Sequence, residues 1–187
     1  MSSTAIGPED QRRLLELARA TLVSHFRGGP LPDLEEADGP LAQVRGAFVT
    51  LTTDGRLRGC IGHVVAVEPL WKAVRANVLA AAFNDPRFPP LAADELAGVT
   101  IEISALTPLY SGRPEEVEVG RHGLMVERGP ARGLLLPQVP VELGWSRERF
   151  LEETCRKAGL PAGCWREQED LVLSLFEAQV FAEGDGV

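Results

Sequence analysis

The sequence lacks several features that would place it in a common class of proteins. Only three of its 187 residues are cysteines, and they form no C-x-x-C pair, which disfavours a structural zinc site. No stretch approaches the roughly twenty apolar residues of a membrane helix, and the first residues resemble no signal peptide. There is neither a G-x-G-x-x-G turn nor a P-loop, so a doubly wound nucleotide-binding fold is not indicated. A reducing cytoplasm, away from membranes, fits this composition best.

Positive charge is also scarce. The sequence has 19 Lys and Arg residues and 27 Asp and Glu residues, which gives a formal net charge of -8. Nucleic-acid binding depends on neutralising phosphates with Lys and Arg, so the balance disfavours a broad surface for DNA or RNA. Nearly all the cations are arginines, with only Lys72 and Lys157 as lysines. Arginine forks suit planar oxyanions, which leaves room for a small anion-binding pocket.

Apolar periodicity predicts an α+β fold with a mixed or antiparallel sheet and packed helices. Asp54-Gly55 predicts a two-residue type I′ hairpin, which would place Val49 opposite Cys60 and Leu51 opposite Arg58. Segment 171–181 fits a strand or a helix, and His122-Gly123 fits a turn between two short strands. Helices are predicted at 8–26, 69–83 and 146–158. Strands are predicted at 47–53, 56–61, 99–106, 116–119, 124–128 and 134–136.

Several uncommon motifs, in one order along nearly the whole chain, resemble the AMMECR domain family. The longest are the segments 57–62 (LRGCIG) and 82–90 (AFNDPRFPP). The others are IEIS leading into LTP, HGL, LPQV, GW and KAGL, at 101–104, 106–108, 122–124, 136–139, 144–145 and 157–160. The chain departs from many relatives at 132–135, where Arg-Gly-Leu-Leu replaces a small polar pair before LPQV.

The resemblance implies one domain over residues 1–187, with a larger lobe and a smaller lobe formed by parts of 110–165. It also implies a cytoplasmic location. Bacterial and archaeal members are called AmmeMemoRadiSam system protein A, because their genes accompany a Memo-type protein and a radical S-adenosylmethionine protein. These two proteins are therefore the expected partners. The family has no established activity, and the resemblance names no cofactor.

Three residues are candidates for catalysis. Cys60 is flanked by glycines and is the best candidate nucleophile, although a buried thiol acting as a small hydrophobe explains it equally simply. Glu102 interrupts a β-branched strand and is either a surface residue or a general base with Arg58 or Arg87 as its partner. His122 is either a turn residue or a catalytic base. Cys155 is expected in the core, and Cys164 in loop packing.

Five further residues are candidates for ligand binding: Arg58, Gly59, Gly62, Asp85 and Arg87. The two glycines permit close approach of the backbone, and an arginine beside the Cys60 turn would hold an anionic group. The alternative is structural, because Asp85-Pro86 also ends a helix. No metal is predicted. Two functions remain open: an enzyme or enzyme subunit with a small-ligand cleft around Arg58–Gly62, and a non-catalytic binding module for the two partner proteins. Nucleotide or nucleic-acid binding is a third alternative, which the acidic charge balance disfavours.

Overall fold

The computed structural model describes residues 5–34, 36–167 and 170–184. It has the predicted α+β class, with helices packed on antiparallel strands. Among the described residues, no helix is long and apolar enough to cross a membrane. The helices are α1 (Pro8–Arg27), α2 (Gly39–Ala42), α3 (Leu70–Phe83), α4 (Gln138–Glu142) and α5 (Arg147–Lys157). The strands are β1 (Ala47–Thr53), β2 (Arg56–His63), β3 (Val99–Leu106), β4 (Tyr110–Ser111), β5 (His122–Arg128), β6 (Ala131–Leu135) and β7 (Val172–Ala182).

The chain divides into two compact units, with boundaries after Leu106 and after Ala178. In the first unit, β1 pairs with β2 on one side and with β3 on the other. The alternation predicted for β3 is confirmed, because Val99, Ile101 and Ile103 are all buried. They join one core cluster with apolar residues of α1 and α3. The helices therefore cover one face of this sheet.

The β1–β2 hairpin has the predicted turn, but its register is shifted by a bulge. Asp54 and Gly55 have φ angles of 50° and 71°, as a type I′ turn requires. Thr52 pairs with Leu57, yet the next pair joins Leu51 to Gly59. Arg58 is therefore the extra residue of a β-bulge, which offsets every later pair by one position. The predicted pairing of Cys60 with Val49 is wrong, because Cys60 lies opposite Thr50.

The second unit joins β4 and β5 to β7, and β5 to β6, around its own apolar cluster. The ambiguous segment 171–181 belongs to the strand β7. The predicted strand over 116–119 is wrong, because a 3₁₀ turn at Pro114–Glu116 begins this segment. His122-Gly123 is not a turn but the start of β5. The reversal lies just before it, where Gly120 has a φ of 89°.

Cys155 and Cys164 form a disulfide bond in the second unit. Cys155 is buried as predicted, but the expectation of two separate thiols is wrong. The bond joins α5 to the 3₁₀ turn that begins at Cys164. The two cysteines are nine positions apart in the sequence. The cysteine count therefore no longer argues for a reducing compartment, and the cytoplasmic location stays a prediction.

Thiol counting tests this bond directly. Protein purified without reductant and unfolded in guanidinium should present one titratable thiol, that of Cys60, because it is the free cysteine. The same sample should present three after reduction, since the chain has three cysteines. A count of three before reduction would contradict the disulfide. The Cys60→Ser variant supplies the control, with an expected count of zero before reduction.

Candidate functional site

Cys60, Thr50 and Glu102 form a row across three strands of the first unit. Thr50 on β1 lies opposite Cys60 on β2 and opposite Glu102 on β3. Opposite residues of an antiparallel pair share one face of the sheet. This is the reverse of the face on which Val49 and Leu51 are buried. A thiol, a hydroxyl and a carboxylate, each on a half-buried residue, thus lie side by side outside the hydrophobic core.

The Cys60 thiol has a specific hydrogen-bond partner. The Thr50 hydroxyl Oγ1 donates to Cys60 Sγ across a distance of 3.3 Å. The interpretation of Cys60 as a small hydrophobe depends on an apolar neighbour, Val49. The structure instead places the polar side chain of Thr50 beside the thiol.

The loop after α3 binds the backbone of Cys60. The buried Asp85 carboxylate accepts hydrogen bonds from the Cys60 N–H at 2.9 Å and from the Arg87 N–H at 3.1 Å. The Arg87 guanidinium also donates to it at 3.0 and 2.7 Å. Hydrogen bonding from Arg87 is the main reason that the pKa of Asp85 lies well below its usual range. Because β2 ends the strand order, this contact also protects an exposed sheet edge.

Arg87 extends from this contact towards solvent. Its Nη2 reaches the Cys60 carbonyl at 3.4 Å, and its side chain remains 54% exposed. The pKa of Arg87 is raised, chiefly by its hydrogen bond to Asp85. The guanidinium therefore lies against the Cys60 backbone and keeps an exposed edge. The structure shows a structural contact here and leaves the predicted ligand-binding role of Asp85 and Arg87 a prediction.

Arg58 is engaged in holding the same loop. It makes a bidentate pair with Glu95 at 2.8 and 2.9 Å, and it donates to the carbonyls of Pro89 and Pro90. This pairing holds the pKa of Glu95 down to about 2. The Arg58 side chain is only 13% exposed. The donors of Arg58 are thus bound within the protein, and the more exposed guanidinium of Arg87 is more accessible to a ligand.

Gly59 and Gly62 are required by packing. A Cβ added at Gly59 would stand 2.1 Å from the carbonyl oxygen of Ala81 on α3, and one at Gly62 would stand 2.3 Å from that of Ala47. Real Cβ atoms do not approach other atoms so closely. These glycines therefore let the edge strand contact α3 and β1, which is the tight backbone geometry expected from the motif.

His122 belongs to the second unit and is buried there. Its Nδ1 accepts a hydrogen bond from the Glu118 N–H at 3.0 Å, so the neutral ring carries its proton on Nε2. That nitrogen lies 4.0 Å from Glu177 Oε1, which also pairs with Arg121. His122 thus has a defined tautomer and a carboxylate neighbour. Its catalytic role stays a prediction.

Two hollows in the surface lie away from this row of residues. One, of about 210 Å³, is lined by Trp165 and segments 111–114 and 171–173, and another, of about 240 Å³, lies between α1 and the end of β7. Neither includes Cys60 or Glu102. Within the described residues, no group of three or more His, Cys, Asp or Glu side chains is arranged to hold a metal ion.

Sequence reasoning missed Thr50 and Glu95. Thr50 is one of several threonines on β1 and belongs to no motif, so only the bulged register reveals it as the neighbour of Cys60. Glu95 lies 37 residues after Arg58, and no spacing rule connects two residues so far apart. Both contacts depend on how the strand and the loop meet in space.

Comparison with known proteins now places this α+β chain in a family. The AMMECR1 family model matches residues 15–181, and the chain therefore belongs to the AMMECR1 family. A protein of Aquifex aeolicus is 44% identical over 182 residues, covering 93% of each chain. A protein of Methanothermobacter thermautotrophicus is 43% identical over 193 residues, covering 98% of this chain and 99% of its own.

A solved structure has the same fold. The crystal structure of the uncharacterized protein PH0010 from Pyrococcus horikoshii matches with a TM-score of 0.80 and 42% identity. The match covers 96% of this chain and 94% of that one. The names of these relatives state no biochemical role, so the chemistry of the site has to be argued from its residues.

Proposed function

We propose that this protein is an enzyme, or a subunit of one, that uses the Cys60 thiol on a small electrophilic ligand. The observation that carries the proposal is the hydrogen bond from Thr50 to Cys60 Sγ, on the sheet face opposite the core. A cysteine kept only for packing would be expected among apolar neighbours. Reactive cysteines instead have partial exposure and neighbours that favour the thiolate.

The surrounding groups suit nucleophilic chemistry. The Arg87 guanidinium donates to the Cys60 carbonyl and would bind an anionic group on the ligand. Glu102, one strand beyond Thr50, supplies a carboxylate for proton transfer to or from the bound ligand. In this scheme the thiolate attacks an electrophilic carbon, and the bond from that carbon to the leaving group breaks. The leaving group departs with the bonding electron pair and takes a proton from solvent, and Glu102 then accepts a proton from the water that hydrolyses the thioester.

Acylation by p-nitrophenyl acetate tests the proposal. The Cys60 thiolate would attack the ester carbonyl, release nitrophenolate and retain the acetyl group as a thioester. We expect folded wild-type protein to acquire one acetyl group on Cys60 about tenfold faster at pH 7 than urea-unfolded protein, because the Thr50 hydroxyl and the sheet hold the sulfur in place for attack. Mass spectrometry of the intact and digested protein measures the rate and the position.

Two variants serve as controls. Cys60→Ser should acquire no rapid acetyl group, and Glu102→Gln should form the thioester but hydrolyse it more slowly, because it lacks the proton acceptor. Labelling of folded Cys60 no faster than in the unfolded protein would refute the proposal. A non-catalytic module for Memo-type and radical-enzyme partners would then be the better explanation, and co-purification with those proteins would test it.

A further inference from the structure

Thr50 separates the two reactive groups of the proposed site. It lies on β1, between Cys60 on β2 and Glu102 on β3. Neighbouring strands stand about 4.8 Å apart, so the backbones of Cys60 and Glu102 are separated by about twice that distance. A direct hydrogen bond between thiol and carboxylate would have to cross over the Thr50 side chain. The immediate polar environment of the thiol is therefore set by Thr50.

The Thr50 side chain is well suited to hold a thiolate in place. Threonine is branched at Cβ, so its χ1 angle has few accessible values on a strand. Strands on both sides of β1 also fix the backbone position of Thr50. Its hydroxyl donates to Cys60 Sγ at 3.3 Å. The donor is thus oriented towards the sulfur before any ligand arrives.

We propose that Thr50 is a positioning residue of the thiol site, whose hydroxyl donates to the Cys60 thiolate and orients it for attack. This inference rests on the function proposed above for Cys60. The charged groups around the thiol are Arg87 and Asp85 on the loop after α3, and Glu102 on β3. Thr50 acts on the thiolate, whereas Arg87 and Glu102 act on the ligand.

The pH dependence of alkylation tests this role. Iodoacetamide labelling of Cys60 in the full chain, followed by mass spectrometry, gives the pH at which the rate is half its maximum. Replacing Thr50 by valine keeps the shape of the side chain and removes the donor. We expect this pH to rise and labelling at neutral pH to become about tenfold slower, because the hydroxyl that donates to the sulfur is lost.

Matched variants separate the hydrogen bond from packing. Thr50→Ser keeps the hydroxyl and should retain the wild-type profile, while Thr50→Ala should behave like Thr50→Val. Thr52→Val makes the same substitution two residues along β1, opposite Leu57 instead of the thiol, and should leave the profile unchanged. The Ser and Ala pair also decides the question if the valine variant fails to fold.

Two results would overturn the inference. A reactive Cys60 whose profile is the same in wild type, Thr50→Val and Thr50→Ala would overturn the role of Thr50 and leave the proposed function intact. Equal shifts in Thr50→Ser and Thr50→Ala would assign the effect to packing and overturn it as well. A wild-type Cys60 that labels only after unfolding would overturn the proposed function, and this inference with it.

Discussion

Replacing Gly59 by alanine should lower the free energy of unfolding by about 3 kcal/mol or more. The new Cβ would stand 2.1 Å from the carbonyl oxygen of Ala81 and 3.0 Å from its carbonyl carbon. Both atoms belong to the backbone of α3, so no side-chain rotation can relieve the clash. Either α3 or β2 must shift, and overpacking of this kind costs about 1–3 kcal/mol or more. Urea denaturation followed by circular dichroism measures the loss.

Gly98→Ala is the matched control for this effect. A Cβ at Gly98 would stand 3.9 Å from the Thr53 Cγ2 methyl group, which is an ordinary contact. We expect this variant to remain within about 0.5 kcal/mol of wild type, as surface substitutions generally do. A similarly small loss in Gly59→Ala would show that β2 and α3 do not meet as closely as described. Gly59 would then need another explanation, such as a ligand against its backbone.

Replacing Asp85 by asparagine should cost about 2 kcal/mol. The carboxylate is 2% exposed and accepts hydrogen bonds from the Cys60 and Arg87 backbone N–H groups and from the Arg87 guanidinium. The asparagine amide carries two donors of its own, which leaves a buried donor facing another donor. Arg87 is half exposed and can return to water, which limits the loss. Thermal and urea denaturation measure it.

The contribution of Asp85 should also depend on pH in a defined direction. Its pKa in the folded protein lies below that of the unfolded chain. Its stabilisation is therefore complete above the unfolded value of about 3.9 and is lost as the pH falls towards the folded value. The gap in stability between wild type and Asp85→Asn should stay constant from pH 6 to about pH 5 and should narrow as the pH falls below the unfolded value to about pH 3. Asp94→Asn, an exposed residue of the same loop, should show no such gap.

Local patterns were enough to predict most elements near the site. The 3.6-residue spacing on α1 and α3 and the two-residue alternation on β3 arise from which side chains face the core, and the structure confirms them. The Asp54-Gly55 turn was predictable because few residue pairs adopt two consecutive positive φ angles. The start of the predicted helix 146–158 is confirmed, and the Ser146 hydroxyl caps α5 by accepting a hydrogen bond from the Arg149 N–H.

The wrong predictions of the hairpin register, of separate thiols and of a turn at His122 have a common physical origin. The bulge at Arg58 exists because Gly59 must meet α3 while Arg58 reaches Glu95 on a later loop. Neither contact leaves a trace in the hairpin sequence, yet together they displace the register by one residue. The bond between Cys155 and Cys164 likewise depends on where the turn after α5 folds back. His122 was assigned to a turn because of the glycine after it, while the actual reversal uses Gly120.

The sequence by itself determined the family resemblance, the α+β class and the principal helices and strands. These depend on residue types and short-range spacing, which the chain carries in linear order. Only the tertiary structure decided that Cys60 lies beside Thr50 in a row with Glu102, and that Arg58 serves the fold. Strand register and long-range ion pairs depend on how strands, helices and loops pack against one another. A single extra residue in one strand is therefore enough to change the neighbour of a side chain.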